Sequence, residues 1–350
     1  MKKQTWILWM RMTLAIGANS SWAEARQEYL LNALDQNEVA DLRLAPGVTA
    51  EVVLEVETSA TRQGNEETSD ISLATFELGL KAALIPGCQG QASLLWEEGD
   101  TEPVDLDTGY VVLGGTETMP MILSAGKMYV PFGAFNSYMV SDPLTLELGE
   151  TRETAIEWSY DSDSFLVRVG GFSGELENAS RVENAVAAFD LSPVDGLTLG
   201  TSFITDIGEG SGYVDDLNDA LSDGGTYDRS AGFSAHLLLE LGSAAVAIEY
   251  LGAVDDMIWN DAQGLETAIR PEAWNADFSY AFNAAWTGAL RYEGSREFKP
   301  EEMPEHQYGG TVAWQFNSFA TWSAEYLFGT FKAEEADDRH QATMQMALVF

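Results

Sequence analysis

The sequence has 350 residues, enough for one large domain or two ordinary ones, and 45% of them are hydrophobic, which excludes a chain that is disordered by composition. Lys and Arg number 18 against 56 Asp and Glu, a net charge of −38 that excludes the basic surface needed for nucleic-acid binding. The single cysteine, Cys88, excludes an intrachain disulfide and a multi-cysteine metal site, and three histidines leave little for metal chemistry, so we expect no cofactor.

Residues 1–23 have the pattern of a secretory signal peptide. Lys2 and Lys3 give a positive start, an apolar stretch follows over 6–16, and Ser21 and Ala23 are the small residues that precede a cleavage site. The alternative is a short N-terminal helix. We expect cleavage, and therefore an exported chain.

Residues 24–45 differ from the rest of the chain, because they are rich in charge. Their apolar side chains have the spacing of a short amphipathic helix: Tyr29, Leu30, Leu31 and Leu34. Two interpretations stay open for this periplasmic segment. It is either a helix that packs near a lumen mouth or a partner, or a flexible tail.

From residue 46 to the end, apolar and polar side chains alternate with a period of two, which is typical of strands with one apolar face. One clear hairpin surrounds the Gly242-Ser243 turn, with Leu237 and Leu239 on one side of the turn and Val246 and Ile248 on the other. The alternation predicts about sixteen strands. They lie at about 48–58, 70–83, 91–97, 104–114, 121–130, 152–160, 165–172, 184–192, 197–205, 231–241, 244–250, 274–282, 286–293, 307–316, 320–328 and 341–350.

The joints between these segments alternate in length. Short joints are expected at 84–90, 115–120, 161–164, 193–196, 242–243, 283–285 and 317–319. Long joints are expected at 59–69, 98–103, 131–151, 173–183, 206–229, 254–272, 294–306 and 329–339. Short turns on one side, long loops on the other and an even strand count are typical of outer-membrane β-barrels.

The sequence therefore predicts an all-β fold, a transmembrane antiparallel β-barrel over 46–350, in the outer membrane of a Gram-negative bacterium. The alternative is a soluble protein of two sandwiches, but sandwich strands are usually about 5–6 residues long and have polar outer faces. Aromatic residues near strand ends fit the interfacial girdles of a barrel: Trp158, Tyr160, Trp274, Tyr280, Tyr292, Tyr308, Trp322 and Tyr326. Phe350, with Leu348 and Met346 on the same face, is the expected signal to the barrel assembly machinery.

Two unusual stretches carry a family resemblance. Residues 126–133 have the sequence GKMYVPFG, and residues 141–153 have the sequence SDPLTLELGETRE. With 74–80 and the acidic loop 97–103, they make the chain resemble the LbtU family of siderophore porins of Gram-negative bacteria over most of the barrel. The resemblance implies an outer-membrane porin-like protein associated with passage of a ferric siderophore.

The long joint 131–151 lies directly after the fifth predicted strand. By architectural analogy with general porins, we expect it to fold inward and narrow the pore. The alternative is an outward loop that contacts lipopolysaccharide or a neighbouring subunit. We predict that the pore and ligand residues lie in and around this joint and on the lumen wall: Lys127, Tyr129, Phe132, Phe135, Tyr138, Arg152, Arg168 and Arg291.

Alternation also places charges on the lumen wall. The expected acids are Glu77, Glu157, Glu240, Glu249, Asp277 and Glu325, and the expected bases are Lys81, Lys127, Arg168 and Arg291. Opposed rows of these charges would select solutes by charge, and scattered solvated charge is the alternative. Acidic long loops would concentrate cations at the rim.

The sequence supports two channel functions. The first is a porin-like channel for a ferric siderophore, without an energised plug domain, and the second is a general cation-selective diffusion porin. A barrel enzyme is a third, weaker alternative, because His306 and His340 have no Gly-x-Ser-x-Gly motif nearby. The expected partners are outer-membrane lipid, lipopolysaccharide and a small solute, with no nucleic acid; the oligomeric state stays open.

Overall fold

The computed structural model describes residues 42–99, 101, 103–116, 119–176, 181–261, 264–332 and 336–350. The predicted signal peptide and residues 24–41 of the predicted periplasmic segment, with its helix, lie outside these ranges, whereas the last residues of that segment are extended. Leu42–Ala45 form the first strand, β1. The next strands along the chain are β2 Val48–Gln63, β3 Glu66–Ile85, β4 Cys88–Trp96, β5 Asp105–Thr116, β6 Met119–Tyr129, β7 Arg152–Asp161, β8 Phe165–Phe172, β9 Asn184–Val194 and β10 Leu197–Ile204. The remaining strands are β11 Thr226–Asp228, β12 Gly232–Leu241, β13 Ala244–Ala253, β14 Met257–Asn260, β15 Glu266–Ile269, β16 Glu272–Ala281, β17 Trp286–Arg296, β18 His306–Asn317, β19 Ala320–Thr330 and β20 Arg339–Val349.

Sixteen of the strands in the described ranges close into one antiparallel barrel, which confirms the predicted fold. Each barrel strand pairs with its neighbours in sequence, and β20 pairs with β2 to complete the ring. The short strand β1 adds a small hairpin to β2. No helix among the described residues is long and apolar enough to cross a membrane.

The two faces of the barrel wall have opposite chemistry, as the alternation predicts. On β17, Leu290 is 64% exposed on the outside, whereas its neighbour Arg291 is 3% exposed and faces inward. On β20 and at the residue after it, Met344, Met346 and Phe350 are exposed outside. An apolar exterior with a polar interior is the pattern of a barrel that meets lipid.

The prediction of a long joint at 59–69 is wrong. The ladder between β2 and β3 continues to the pair Gln63↔Glu66, so only the two residues 64–65 form the turn. Thr, Ser and charged side chains occupy both faces in this part of the ladder, for example Ser59↔Asp70 and Thr61↔Thr68. A ladder without an apolar face gives no alternating signal, although β-branched Thr favours strands.

Two joints predicted as plain loops contain structure of their own. The joint 206–229 holds a 3-10 helix, Ile207–Glu209, and a helix, Val214–Ser222. Its β11 pairs with β14, and β14 pairs with β15 of the next long joint, which makes a three-stranded sheet. The main apolar core lies at this end of the barrel, where these elements meet the joint that comes after β6.

Candidate functional site

The segment between β6 and β7, residues 130–151, is called the inner loop here because it lies inside the barrel. The backbone N–H of Val130 donates to the carbonyl of Thr151 at 2.9 Å, which holds its two ends together. Its N–H groups reach the inner faces of β10, β13, β16, β17 and β19. Residues 144–149 form a short helix, α1, that packs against β13 and β16. Of the two paths considered for this joint, the structure has the inward one.

Four wall carboxylates hold the inner loop, and we call them the latch carboxylates: Glu249, Asp277, Glu293 and Glu325. They lie on β13, β16, β17 and β19, each facing inward. All four are at most 5% exposed. Carboxylates that accept backbone N–H groups in a buried seam make charge-assisted hydrogen bonds, which are stronger than neutral ones.

The latch begins at β13. The N–H groups of Ala134 and Phe135 donate to the two oxygens of Glu249 at 2.7 and 2.8 Å, and the Thr145 hydroxyl donates to the same group at 3.1 Å. On β16, Asp277 accepts the N–H of Tyr138 at 3.0 Å.

The latch continues on β17 and β19. Glu293 accepts the N–H of Leu144 at 2.9 Å. Glu325 accepts the N–H of Val140 at 2.7 Å and both the N–H and the hydroxyl of Ser141. The inner loop is therefore bonded mostly through its main chain to wall carboxylates, and the hydroxyls of Ser141 and Thr145 add two side-chain donors.

Arg291 is the cation at the centre of the latch. Its Nε and Nη2 donate to the two oxygens of Asp277 at 2.9 and 3.0 Å, and Nη1 lies 3.6 Å from Glu293. Nη1 also donates to the carbonyls of Ser141 and Asp142. Arg291 thus joins two latch carboxylates to the loop backbone, and it is fully covered.

The aromatic residues predicted for the inner loop pack against the wall. Phe132 and Phe135 are 1% and 4% exposed within the main core. Tyr138 packs beside a small cluster that contains Met139. On β18, a Cβ added to Gly309 would clash with the Leu327 side chain and lie 2.9 Å from the Tyr326 carbonyl oxygen, so the glycine makes room chiefly for β19, with Met139 Cε of the loop next at 3.3 Å. Phe132 and Phe135 help to fix the loop and also border the second cavity described below, whereas Tyr138 is half-buried.

A cavity of about 580 Å³ remains between the inner loop and the wall of β2–β5. It extends from Thr49 and Lys81, near the short turns, to Glu97 and Asp215 on the side of the long loops. Its carboxylates come from the wall, the inner loop and the long loops: Glu51, Glu77, Glu97, Asp107, Asp142, Glu147, Glu150, Glu153, Glu175, Glu209 and Asp215. Its bases are Lys81 and Arg152.

In this cavity two of the predicted pore residues, Tyr129 and Arg152, donate hydrogen bonds to Asp107, which was not predicted as a site residue. Asp107 accepts hydrogen bonds from Tyr129 Oη at 2.7 Å, Arg152 Nη1 at 2.9 Å and Ser93 Oγ at 2.9 Å. Lys127 is not among the residues that line this cavity or the next, and its Nζ lies 3.9 Å from Asp105.

A second cavity, of about 670 Å³, lies under the start of the inner loop and reaches the turn between β7 and β8. On its wall Arg168 Nη2 lies 3.3 Å from Asp190, whose other oxygen is 3.1 Å from His236 Nε2. The imidazole lies over Gly200, the residue of β10 between them, where any side chain would clash with His236 and Asp190. Arg168 is therefore separate from the Arg291 latch.

The mouth on the side of the long loops is acidic as well. Burial raises the pKa of Glu209, in the 3-10 helix of this region, and the nearby Asp206 raises it further. Opposing this, the Glu175 N–H donates to Glu209 at 2.8 Å and Asn184 Nδ2 at 2.9 Å. Within the described ranges, no group of three or more His, Cys, Asp or Glu is arranged to hold a metal ion.

Sequence reasoning missed Glu293, Asp107 and Asp190 as site residues. The alternation pattern could have identified Glu293 as a lumen residue, because it shares the inward face of its strand with Arg291. Asp107 had a weaker one, because it stands at an irregularity in the pairing of β4 with β5, where alternation fails.

Comparison with known proteins gives distant relatives. No protein-family model matches the chain. A UPF0422 protein of Legionella pneumophila (strain Paris) is 22% identical over 268 residues, which cover 69% of this chain and 51% of the relative. A UPF0422 protein of Coxiella burnetii is 25% identical over 201 residues, 53% of this chain and 42% of the relative. The chain spans about half the length of the curated relatives it matches.

Solved structures share the fold at low sequence identity. The outer-membrane channel DcaP of Acinetobacter baumannii has a TM-score of 0.64 and 9% identity, covering 89% of this chain and 100% of that one. An anion-selective porin from Comamonas acidovorans has a TM-score of 0.63 and 11% identity, covering 87% and 99%. OmpT, an outer-membrane protein of Vibrio cholerae, has a TM-score of 0.59 and 14% identity, covering 89% and 100%.

The barrel and these likenesses, together with relatives from Gram-negative bacteria, place the protein in the outer membrane with the architecture of a porin. They give no positive evidence of catalysis. The LbtU family is not confirmed by them.

Proposed function

We propose that this porin-like barrel is a cation-selective diffusion channel. The observation that carries the proposal is the lining of the first cavity, in which carboxylates stand on both the β2–β5 wall and the inner loop, with Lys81 and Arg152 as the bases. Arg152 is paired with Asp107 and Asp105, so its charge is largely compensated.

Rings and rows of carboxylates select cations because the walls of low dielectric focus their field into a narrow aqueous path. Here the two sides of the path have the same sign. A solute therefore meets a negative potential across the whole width, in place of the transverse field that opposed acidic and basic rows would set. Anions are excluded and cations are concentrated, most strongly at low ionic strength.

The test is the reversal potential of the purified protein in a planar bilayer under a KCl gradient. A potential close to that of a K⁺ electrode supports the proposal, and Glu51→Lys should move it toward the Cl⁻ value. A wild-type potential that favours Cl⁻, or one that Glu51→Lys leaves unchanged, would contradict the role of the lining.

A ferric siderophore is the second candidate cargo, supported by the sequence resemblance. The stretches that carry the resemblance, 126–133 and 141–153, contain both ends of the inner loop and the bonds of Ser141 and Leu144 to the latch. The two stretches therefore relate to the attachment of the inner loop more than to the identity of the solute. The acidic lining favours a neutral or cationic ferric complex over an anionic one.

Single-channel block tests this candidate. A cationic ferric hydroxamate should interrupt the current at micromolar concentration, whereas an anionic ferric catecholate of similar size should not. Iron-limited growth of a deletion strain gives a second measurement, because growth on the blocking siderophore should slow while sugar uptake stays normal. If no siderophore blocks the current, the general cation channel remains.

A further inference from the structure

The latch carboxylates accept hydrogen bonds on every oxygen. Glu249 receives Ala134 N–H on one oxygen and Phe135 N–H on the other. Glu325 likewise receives Ser141 on Oε1 and Val140 on Oε2.

The other two latch carboxylates are filled in the same way. Asp277 receives Arg291 Nε on Oδ1 and Arg291 Nη2 on Oδ2. Glu293 receives Gln307 Nε2 at 2.7 Å on Oε1 and Leu144 N–H at 2.9 Å on Oε2. A proton added to one of these groups removes the negative charge that strengthens all of its hydrogen bonds, and the new O–H occupies a lone pair among donors that already surround the group, so the bonds to the loop weaken.

We propose that the four latch carboxylates and Arg291 are positioning residues that set the size limit of the channel, through bonds to the inner loop that acid breaks. This rests on the proposed channel function. When the carboxylates are ionised, they hold the loop against β13–β19 and leave a narrow path along β2–β5. Protonation frees the loop from part of this wall, and the path widens.

Charged groups around the latch modulate this response but do not replace it. His236 is the neighbour of Glu249 on β12, Glu57 lies near Glu325, and Arg339 lies near Glu293. Arg291 keeps its charge at every relevant pH, so acid leaves it without ionised partners and does not give it new ones.

The apolar packing of the loop explains why release is local. Phe132 and Leu148 stay buried in the main core at either end of the loop, and their burial does not depend on pH. The middle, residues 137–142, has the small Met139 cluster as its apolar anchor and otherwise relies on Asp277, Glu325 and Arg291. We therefore expect residues 137–142 to move first.

The test uses neutral solutes, because their passage reports the width of the path and not its charge. Proteoliposomes containing the full chain are swollen in sugars and polyethylene glycols of graded size at about pH 7 and about pH 3, which lie on either side of the ordinary carboxyl pKa values. The size limit should be larger at the acid pH. Glu249→Gln with Glu325→Gln should enlarge it at neutral pH, since losing charged bonds shifts the ratio of held to freed loop by roughly tenfold or more.

Glu272→Gln is the matched control. Glu272 also lies on β16, but it pairs with Arg296 and not with the inner loop, so this variant should keep the neutral size limit and its pH response. If the double variant does not fold, as judged by heat-modifiable migration, Glu325→Gln alone and the wild-type pH profile decide the question.

A size limit that is unchanged or smaller at acid pH, or unchanged in the latch variants, overturns the proposal. That failure is distinct from failure of the channel function. A barrel that keeps its K⁺ preference with a constant size limit would remain a cation channel whose loop is held by packing alone.

Discussion

The two halves of the lumen use the same side chain in opposite ways. On β13–β19, Glu249, Asp277, Glu293 and Glu325 are buried and saturated by donors from the inner loop and Arg291. On β2–β5, carboxylates such as Glu77 line an open cavity. The first group has a structural role, because its oxygens accept hydrogen bonds from other groups of the protein. The second group borders the aqueous path and contributes to the field that a passing ion meets, although Asp107 within it accepts hydrogen bonds from Tyr129, Arg152 and Ser93.

This difference shows that a carboxylate on a lumen wall has no fixed role. Its role depends on whether main-chain N–H groups lie within hydrogen-bond distance of it. The inner loop brings them to one half of the wall, whereas the carboxylates of the other half border the aqueous path.

The largest expected effect comes from removing the cation of the filled half. Arg291→Met leaves Asp277 and Glu293 as buried charges without their partner, and breaking such a network costs about 3–5 kcal/mol. We expect a large drop in the heat-modifiable, folded fraction in outer membranes. Arg168→Met, on the wall of the second cavity, is the comparison and should be milder, because the Arg168 side chain borders an open cavity and keeps 10% exposure against none for Arg291. Equal losses would mean that the complete burial of Arg291 in the latch does not set it apart from Arg168.

The next largest effect is expected where β20 pairs with β2, which is the junction between the two halves. Phe350 exchanges two backbone hydrogen bonds with Val52, at 2.7 and 3.1 Å, where β20 meets β2. Deleting Phe350 removes both, about 1–3 kcal/mol in total, and also removes the predicted assembly signal. Folded protein in outer membranes should decrease, whereas Phe350→Tyr, which keeps the backbone bonds and an aromatic end, should assemble normally. A deletion variant that assembles as well as wild type would contradict the predicted signal.

A smaller effect is expected on the open half, and on current rather than stability. Glu77→Gln should lower the preference for K⁺ over Cl⁻ and Lys81→Met should raise it, each by roughly two- to fivefold, as expected for charges screened by water. Bilayer reversal potentials measure this, and thermal unfolding should stay near wild type for both. If both variants shift the preference in the same direction, the lining charges do not act through their sign.

The smallest effect concerns Glu209 at the mouth. Its raised pKa means that the folded state binds a proton more tightly than the unfolded chain does. The contribution of this group to stability is therefore greatest at low pH and declines as pH rises from the ordinary glutamate value through the raised one. Glu209→Gln should flatten this part of the pH profile of local protection, measured by hydrogen exchange over residues 173–176. A profile with the same slope in the variant would assign the dependence to another group.

Alternation predicted most of the barrel because one face of each membrane strand must be apolar. The same rule placed Glu249, Asp277, Arg291 and Glu325 on the lumen wall, where the structure has them. It failed between β2 and β3, where both faces of the ladder are polar.

The sequence did not predict which lumen charges bind the inner loop and which border the aqueous path. Whether Glu325 or Glu77 is covered depends on the path of a loop that is distant in the chain, and no local pattern encodes that path. The aromatic residues Phe132 and Phe135 illustrate the same limit. Their chemistry suits ligand stacking, yet the loop turns them into the core.

The closing pair of strands has a consequence for how the chain reaches its folded state. Every barrel strand except at this junction can pair with a segment made just before or just after it, but Glu57 meets Gln345 across 288 positions of sequence. Closing so long a segment is entropically costly and slow, and β2 must wait with an unpaired edge until the end of the chain arrives. An exposed edge of that kind invites pairing with other chains. The time between export and ring closure is therefore the interval in which this protein is most exposed to aggregation.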